Sequence, residues 1–364
     1  MAVLAALVVA ACGSTAAVPT RIPGTPSAKG APHLAQSSLR NTGAPPARYG
    51  AALAYDPQSK ALILFGGSTV SNQAHPPASS LLDDTWAWDG HGWQQLHPAT
   101  SPPALYGAEL VPDPASGHLL LLGGSGQTDP TGVLLQQGAW TWDGQTWARA
   151  GDSPLQMPFL AVGLDPVHKQ VLMGGNDTNY MPNCGGRVAC QVLAQINKPG
   201  AFVWNGRSWS NPGGSAPEWS GAGTAFDPLS GQLLSAGGNV TTGTQSTYAW
   251  DGKRWTLIGQ SEGNNGVADP NYPAGPCDAA TDTDAGNVVM VCTFSTNGNA
   301  TGATWTFDGS NWNRATQATT ALVAIPQLSI ADDPTAGAVV MVYPPASGAE
   351  QMRLWNGSDW VAIP

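Results

Sequence analysis

Charge is what this sequence has least of. Asp, Glu, Lys and Arg make up only 10% of its 364 residues, against about 25% in ordinary soluble domains. Lys and Arg total 14 against 24 acidic residues, the net charge is −10, and no run of basic residues occurs. Nucleic acid and anionic head groups are held through clustered positive charge, so neither is expected as a partner. The apolar stretch Met1 to Ala11 is too short to cross a bilayer as a helix; it fits the core of a secretory signal ending in the small residues Ala10 and Ala11. The C-x-x-C spacing of a thiolate metal site is missing. What is abundant is Gly (45), Pro (31) and Trp (15), a composition suited to many short strands and tight turns rather than helices.

The run Val9-Ala10-Ala11-Cys12 resembles a bacterial lipobox, in which the Cys is acylated and becomes the new N-terminus. That implies an extracytoplasmic protein, lipid-anchored to the bacterial cell membrane through Cys12, with plain secretion as the alternative. Residues 13–45 are rich in Ala, Pro, Ser, Thr and Gly and have no apolar periodicity, so they cannot bury enough surface to fold alone. A flexible tether of that length reaches about 30 Å on average. With Cys12 assigned, four Cys remain: Cys184, Cys190, Cys277 and Cys292, which allow three pairings. Cys277 and Cys292 lie symmetrically about Asp284-Ala285, the tip of a predicted hairpin. They would face each other across antiparallel strands, where Cβ atoms stand about 4.5–5.5 Å apart, near bonding distance. Cys184 and Cys190 then close a small loop, and two disulfides are expected.

From Arg48 onward one pattern recurs every 46 to 62 residues or so, a repeat architecture. Its first copy runs Tyr49-Gly50-Ala51-Ala52-Leu53-Ala54-Tyr55-Asp56-Pro57, then Ala61 to Phe65 closing on Gly66-Gly67, then Thr85-Trp86-Ala87-Trp88-Asp89-Gly90 and Trp93. The turn Asp recurs at Asp113, Asp165, Asp227, Asp284 and Asp333, and the final Trp at Trp147, Trp209, Trp255, Trp312 and Trp360. Each copy reads as four strands, with hairpins at Asp-Pro and at Asp-Gly or Asn-Gly. A lone sheet this apolar on both faces cannot bury itself, whereas six arranged radially cover one another. An all-β, six-bladed β-propeller of four-stranded antiparallel blades over 46–364 is therefore expected. How the ring closes is left open: by side-chain packing, or by a strand from 31–45.

An Arg before the first strand, a diglycine after the second, an aromatic in the third and a Trp opening the fourth together resemble the Kelch repeat. That family folds as propellers of the galactose oxidase kind. The copper chemistry of galactose oxidase is not expected here, because His33 lies in the tether, His91 and His118 fall at turns and the Cys are assigned to disulfides. Some Kelch-like bacterial propellers are sugar epimerases or mutarotases that need only an acid and a base near the axis, which Glu109 with Arg48 would supply.

In such a ring the short turns share one face and the variable loops the other, where function usually sits. The longest loop, 176–199, carries Asn176, Asp177, Tyr180 and Arg187 beside the Cys184/Cys190 pair. Trp219 precedes a first strand in the column that holds Arg48 in copy one, and could stack on a sugar. Arg48, Tyr106 and these residues form the expected ligand-binding set; a stapled insertion and a hydrophobic plug are the plainer readings. Aligned on their turn aspartates, the first strands place Glu109 in a column of Ala, Gly and Ser, Asp278 in a mostly Gly column and Asp282 in a mostly small one. Such acids must be solvated or paired, and together they could hold a Ca²⁺ through oxygen ligands. The expected function is a monomeric, surface-tethered binding or scaffold module for a protein or glycan. The alternative is a carbohydrate-active enzyme of the epimerase or mutarotase kind.

Overall fold

The computed structural model describes residues 43–70, 76–126, 138–155, 159–175, 200–212, 221–238, 244–262, 272–273, 275–296, 299–315, 328–344 and 351–363. They form six four-stranded antiparallel sheets, each built from consecutive strands. Blade 1 holds β1 (Ala52–Asp56), β2 (Ala61–Phe65), β3 (Thr85–Trp88) and β4 (Trp93–Leu96). Blade 2 holds β5 (Tyr106–Asp113), β6 (His118–Ser125), β7 (Ala139–Trp142) and β8 (Trp147–Gly151). Blade 3 holds β9 (Ala161–Asp165), β10 (Gln170–Gly175), β11 (Gly200–Trp204) and β12 (Trp209–Ser210). Blade 4 holds β13 (Gly223–Asp227), β14 (Gln232–Gly238), β15 (Thr244–Trp250) and β16 (Trp255–Glu262). Blade 5 holds β17 (Cys277–Asp282), β18 (Asn287–Thr296), β19 (Asn299–Phe307) and β20 (Trp312–Arg314). Blade 6 holds β21 (Ser329–Asp333), β22 (Ala338–Tyr343), β23 (Gln351–Trp355) and β24 (Trp360–Ala362).

Two aspartate-type turns set each blade. In the first hairpin a buried Asp accepts backbone N–H groups two and three residues on: Asp165 takes Val167 and His168, Asp227 takes Leu229 and Ser230. These side chains mimic a backbone turn and fix where the strand reverses. In blade 5 the residue in this role is Asp282, which accepts the N–H of Ala285 while its carbonyl accepts that of Gly286; the sequence alignment on Asp284 is two residues out of register. The second hairpin uses Asp or Asn followed by Gly, as in Asp143-Gly144 and Asn205-Gly206, with the Gly at φ near +90°. Asp or Asn gives the turn and Gly its left-handed backbone.

Across that second hairpin the last aromatic of the third strand meets the first Trp of the fourth, with ring centroids 5.0 to 5.7 Å apart in all six blades. The same Trp reaches into the previous blade. Trp147 Nε1 donates to Thr85 Oγ1 at 3.0 Å, Trp312 to Thr247 at 2.8 Å and Trp360 to Thr304 at 2.9 Å. Where that third-strand position is Ala201, Trp255 Nε1 has no partner among the described residues.

Among the described residues the ring closes by packing; residues 31–42, most of the alternative closing strand, lie outside them. The inner strands neighbour one another in the order β1, β5, β9, β13, β17, β21 and back to β1. Leu53, Leu62, Leu64, Trp86 and Trp93 of blade 1 share one buried cluster with Ala331, Val340 and Val342 of blade 6. The Ser329 hydroxyl donates to the Ala51 carbonyl across the same seam at 2.6 Å. Blade 6 completes its own fourth strand, with β24 paired to β23, so side-chain burial does the work that a shared strand would otherwise do. The register Cys277↔Cys292 and a disulfide between them hold the first hairpin of blade 5.

Candidate functional site

The six inner strands enclose a channel of about 680 Å³ along the axis. The strands converge at the loop face, and the contacts between neighbouring blades record this. At the loop end they are backbone to backbone: Gly107 N donates to Gly50 O, Phe159 to Gly107, Gly221 to Phe159 and Cys277 to Gly221, at 2.7–2.8 Å. Midway they are side chain to backbone, as in Ile330 N to Asp278 Oδ2 at 2.9 Å. At the turn end side chains again make the link, Thr281 Oγ1 donating to the Phe226 carbonyl at 2.7 Å and Thr283 donating through its N–H and Oγ1 to the Asp332 carboxylate. Among the described residues the inner strands are therefore closest at the loop end. Toward the turn face the last residues before the turn aspartates, Tyr55, Pro112, Leu164, Phe226, Thr281 and Asp332, are all half-buried and line the channel.

The corrected register of blade 5 changes the acidic set. Asp278 stands four residues before its turn aspartate Asp282, and Glu109 stands four before Asp113. They occupy the same column, on blades 2 and 5, which face each other across a ring of six. The other four members of that column are Ala52, Ala161, Gly223 and Ser329, so two carboxyls project into a level otherwise filled by small residues. Both are half-buried and line the channel. Burial raises Glu109 well above the usual carboxyl range, and the charge of Asp278 raises it further. Burial likewise lifts Asp278 to about 7, against the pull of N–H groups from Ile330 and Ala279. No hydrogen bond from the described residues reaches the Glu109 carboxyl. Nearer the turn face, burial lifts Asp332 to about 6, opposed by the Thr283 hydrogen bonds and reinforced by Asp282 and Asp333.

Several expected site residues are elsewhere. Arg48 does not line the channel. Its side chain is fully buried, with Nη1 and Nη2 on the Asp84 carboxylate at 2.5 and 2.9 Å and further bonds to the carbonyls of Pro46 and Gly66. Burial alone would raise Asp84, but the hydrogen bonds and charge of Arg48, with the indole N–H of Trp86, hold it below its usual value. Arg48 thus pins the start of blade 1 and is unavailable as a catalytic base. Asp282 is buried in its turn and is no channel acid. Without it the three-carboxylate cage expected for Ca²⁺ is not assembled, and no group of three metal-binding side chains occurs among the described residues. Tyr106 is wholly buried and meets Phe159 edge-on at 5.2 Å. Asn176, Asp177, Tyr180, Cys184, Arg187, Cys190, Trp219 and Cys12 lie outside the described residues.

Two lining residues escaped the sequence reading. Phe159 sits in the column of Gly50, Gly107 and Gly221, where the backbone is left-handed, and it adopts φ +58°. A bulky side chain there is strained, a feature that clusters at functional positions; the sequence signal was the one aromatic in a glycine column. Asp332 was signalled by the doublet Asp332-Asp333-Pro334, where the other copies have Tyr, Pro, Leu, Phe or Thr before the turn aspartate.

No family model and no curated protein matches the chain. Among solved structures, a GH74 xyloglucanase from Xanthomonas campestris aligns at 15% identity over 86% of this chain and 47% of its own, with TM-score 0.47. The chain thus spans about half the length of that enzyme. A six-bladed propeller lectin from Aleuria aurantia aligns at 10% identity over 86% of this chain and 96% of its own, TM-score 0.45. The NanB sialidase from Streptococcus pneumoniae aligns at 10% identity over 85% and 67%, TM-score 0.49. Likenesses this distant transfer no ligand or reaction to the present chain.

Proposed function

We propose that this chain is a Kelch-type binding module, exported through its 1–12 signal and tethered to the cell envelope at Cys12, that takes part of a glycan into its central channel. The observation that carries this is the 680 Å³ channel with Glu109 and Asp278 on opposite blades at one level. Its volume falls in the range of small-ligand pockets, about 300–1,000 Å³. Its lining combines the aromatic faces of Tyr55, Phe159 and Phe226 with carboxyl and hydroxyl groups, the mixture that stacks on and hydrogen-bonds a sugar. A glycan array probed with the protein and with its Glu109→Gln and Phe226→Ala variants tests it. Specific binding weakened by both substitutions is expected. A blank array from folded protein, or binding indifferent to both, would overturn the channel as the site. Lipid attachment is checked separately by loss of metabolic acyl labelling in Cys12→Ser.

A second reading is favoured by one observation. A carboxyl at about 7 beside another carboxyl can hold and release a proton near neutral pH, which general acid–base chemistry on a sugar requires. Anomer exchange of free sugars followed by NMR, lost in Asp278→Asn, would support an epimerase- or mutarotase-like enzyme. Exchange at the buffer rate across a broad sugar panel retires it.

A further inference from the structure

We infer that the channel selects sugars bearing a free, protonated amino group, admitted from the turn face; this rests on the glycan reading above. The charged residues lining the channel are Glu109, Asp278 and Asp332, and no Lys, Arg or His is among the described lining residues. An anionic sugar would meet three carboxyls and no cation to offset the desolvation of its charge, so acidic glycans are excluded. A neutral sugar would leave the Glu109 carboxyl without a charged partner. An ammonium group supplies what is missing, because it carries three N–H donors and a full positive charge. Asp278 already accepts one backbone N–H on each oxygen and keeps lone pairs for a ligand. Glu109 accepts none from the described residues.

Geometry fixes the direction of approach. At the loop face the inner strands are tied backbone to backbone through Gly50, Gly107, Phe159, Gly221 and Cys277. Hydrogen-bonded neighbours lie about 5 Å apart, so these four bonds draw the inner strands of blades 1 to 5 close together at this end, where Phe159 adds a bulky side chain. The turn end has no such backbone ties among the described residues and carries Tyr55 and Phe226, which offer ring faces to the apolar side of a sugar and to its ammonium group. The amine then lies deeper, at the level of Glu109 and Asp278.

The pair also sets a pH dependence. In their column β1, β9, β13 and β21 carry Ala52, Ala161, Gly223 and Ser329, none of them titratable, so the one charge that reaches Glu109 is that of Asp278, with Asp332 three positions nearer the turn face. Burial raises both carboxyls and the charge of Asp278 raises Glu109 further, so Asp278 takes up a proton as pH falls through about 7, and a bound ammonium must displace it. Affinity therefore weakens between pH 7 and pH 5, a window in which a sugar amine stays protonated, by up to about tenfold per pH unit for one displaced proton.

Titration calorimetry of the protein with glucosamine oligomers, their N-acetylated counterparts and galacturonate oligomers tests the inference. The free-amine oligomer should bind at least about tenfold tighter than the N-acetylated one, the usual weight of a charged hydrogen bond, and galacturonate not at all. Glu109→Gln and Asp278→Asn should each abolish the preference and flatten the pH profile, with thermal melts confirming that the variants fold. Equal affinity for amine and N-acetyl forms overturns the amine selectivity and leaves the glycan reading standing. Binding of none of the three, together with a blank array, removes both. Amine binding that survives Phe226→Ala and Tyr55→Ala at full strength overturns the turn-face approach.

Discussion

Replacing Asp278 by Asn should stabilise the fold at neutral and alkaline pH, and only there. The folded protein holds the Asp278 proton up to about pH 7, whereas the ordinary value is 3.8. Between those values the folded state binds more proton than the unfolded chain, so the group favours folding below about pH 4 and that advantage is lost as pH rises through about 7. At about 1.4 kcal/mol per pH unit the ionised carboxylate costs the fold about 4 kcal/mol above pH 7. Asn removes that cost. It also removes one of the two oxygens that accept the N–H groups of Ala279 and Ile330, a loss of about 1 kcal/mol. The net gain is about 3 kcal/mol at pH 8, falling to nothing or slightly below by pH 4. Melting curves of both proteins from pH 4 to pH 8 measure it as a difference, which cancels the general effect of acid on the other carboxylates. A shift of several degrees at pH 8 that closes toward pH 4 is expected. A difference that is negative at pH 8, or the same at every pH, would refute the burial of this charge.

Thr85→Val should cost about 1–2 kcal/mol by leaving the buried Trp147 N–H without its acceptor, whereas Thr141→Val, whose hydroxyl is exposed, should be near neutral in the same denaturant titration. Arg48→Ala should cost about 3–5 kcal/mol, because it strands the Asp84 carboxylate in a part-buried site; chemical denaturation of the variant reads this directly. Gly206→Ala should lower the melting temperature more than Gly357→Ala, since both have φ near +90° but a Cβ at 206 would overlap Ala115 of the neighbouring blade while one at 357 meets nothing within 4 Å. Cys277→Ser should lose the stabilisation of a 15-residue loop closure, about 3 kcal/mol, and dithiothreitol should bring the parent protein to a similar midpoint.

Much of the ring was legible in the repeats because the signals are local. Asp-Pro and Asp-Gly turns, alternating apolar strands and a Trp at the start of each fourth strand act within a few residues of one another, and the Cys277/Cys292 pairing followed from symmetry about a single hairpin. Blade 5 shows the limit of that reasoning. Its turn offers both Asp282 and Asp284, and only the backbone bond from Gly286 to the Asp282 carbonyl decides which one bends the chain. That two-residue shift moved Asp278 out of a glycine column and into the column of Glu109.

The sequence by itself determined the number of blades, their four-stranded pattern and the presence of acids on two inner strands. Tertiary structure alone decided that the ring closes through blade 1 packing on blade 6, that Arg48 is spent on Asp84, and that Glu109 and Asp278 share one level of the channel. The physical reason is distance along the chain. A hairpin reports on neighbours, whereas Glu109 and Asp278 stand on blades 2 and 5, and only closing the circle brings the charge of Asp278 to act on Glu109.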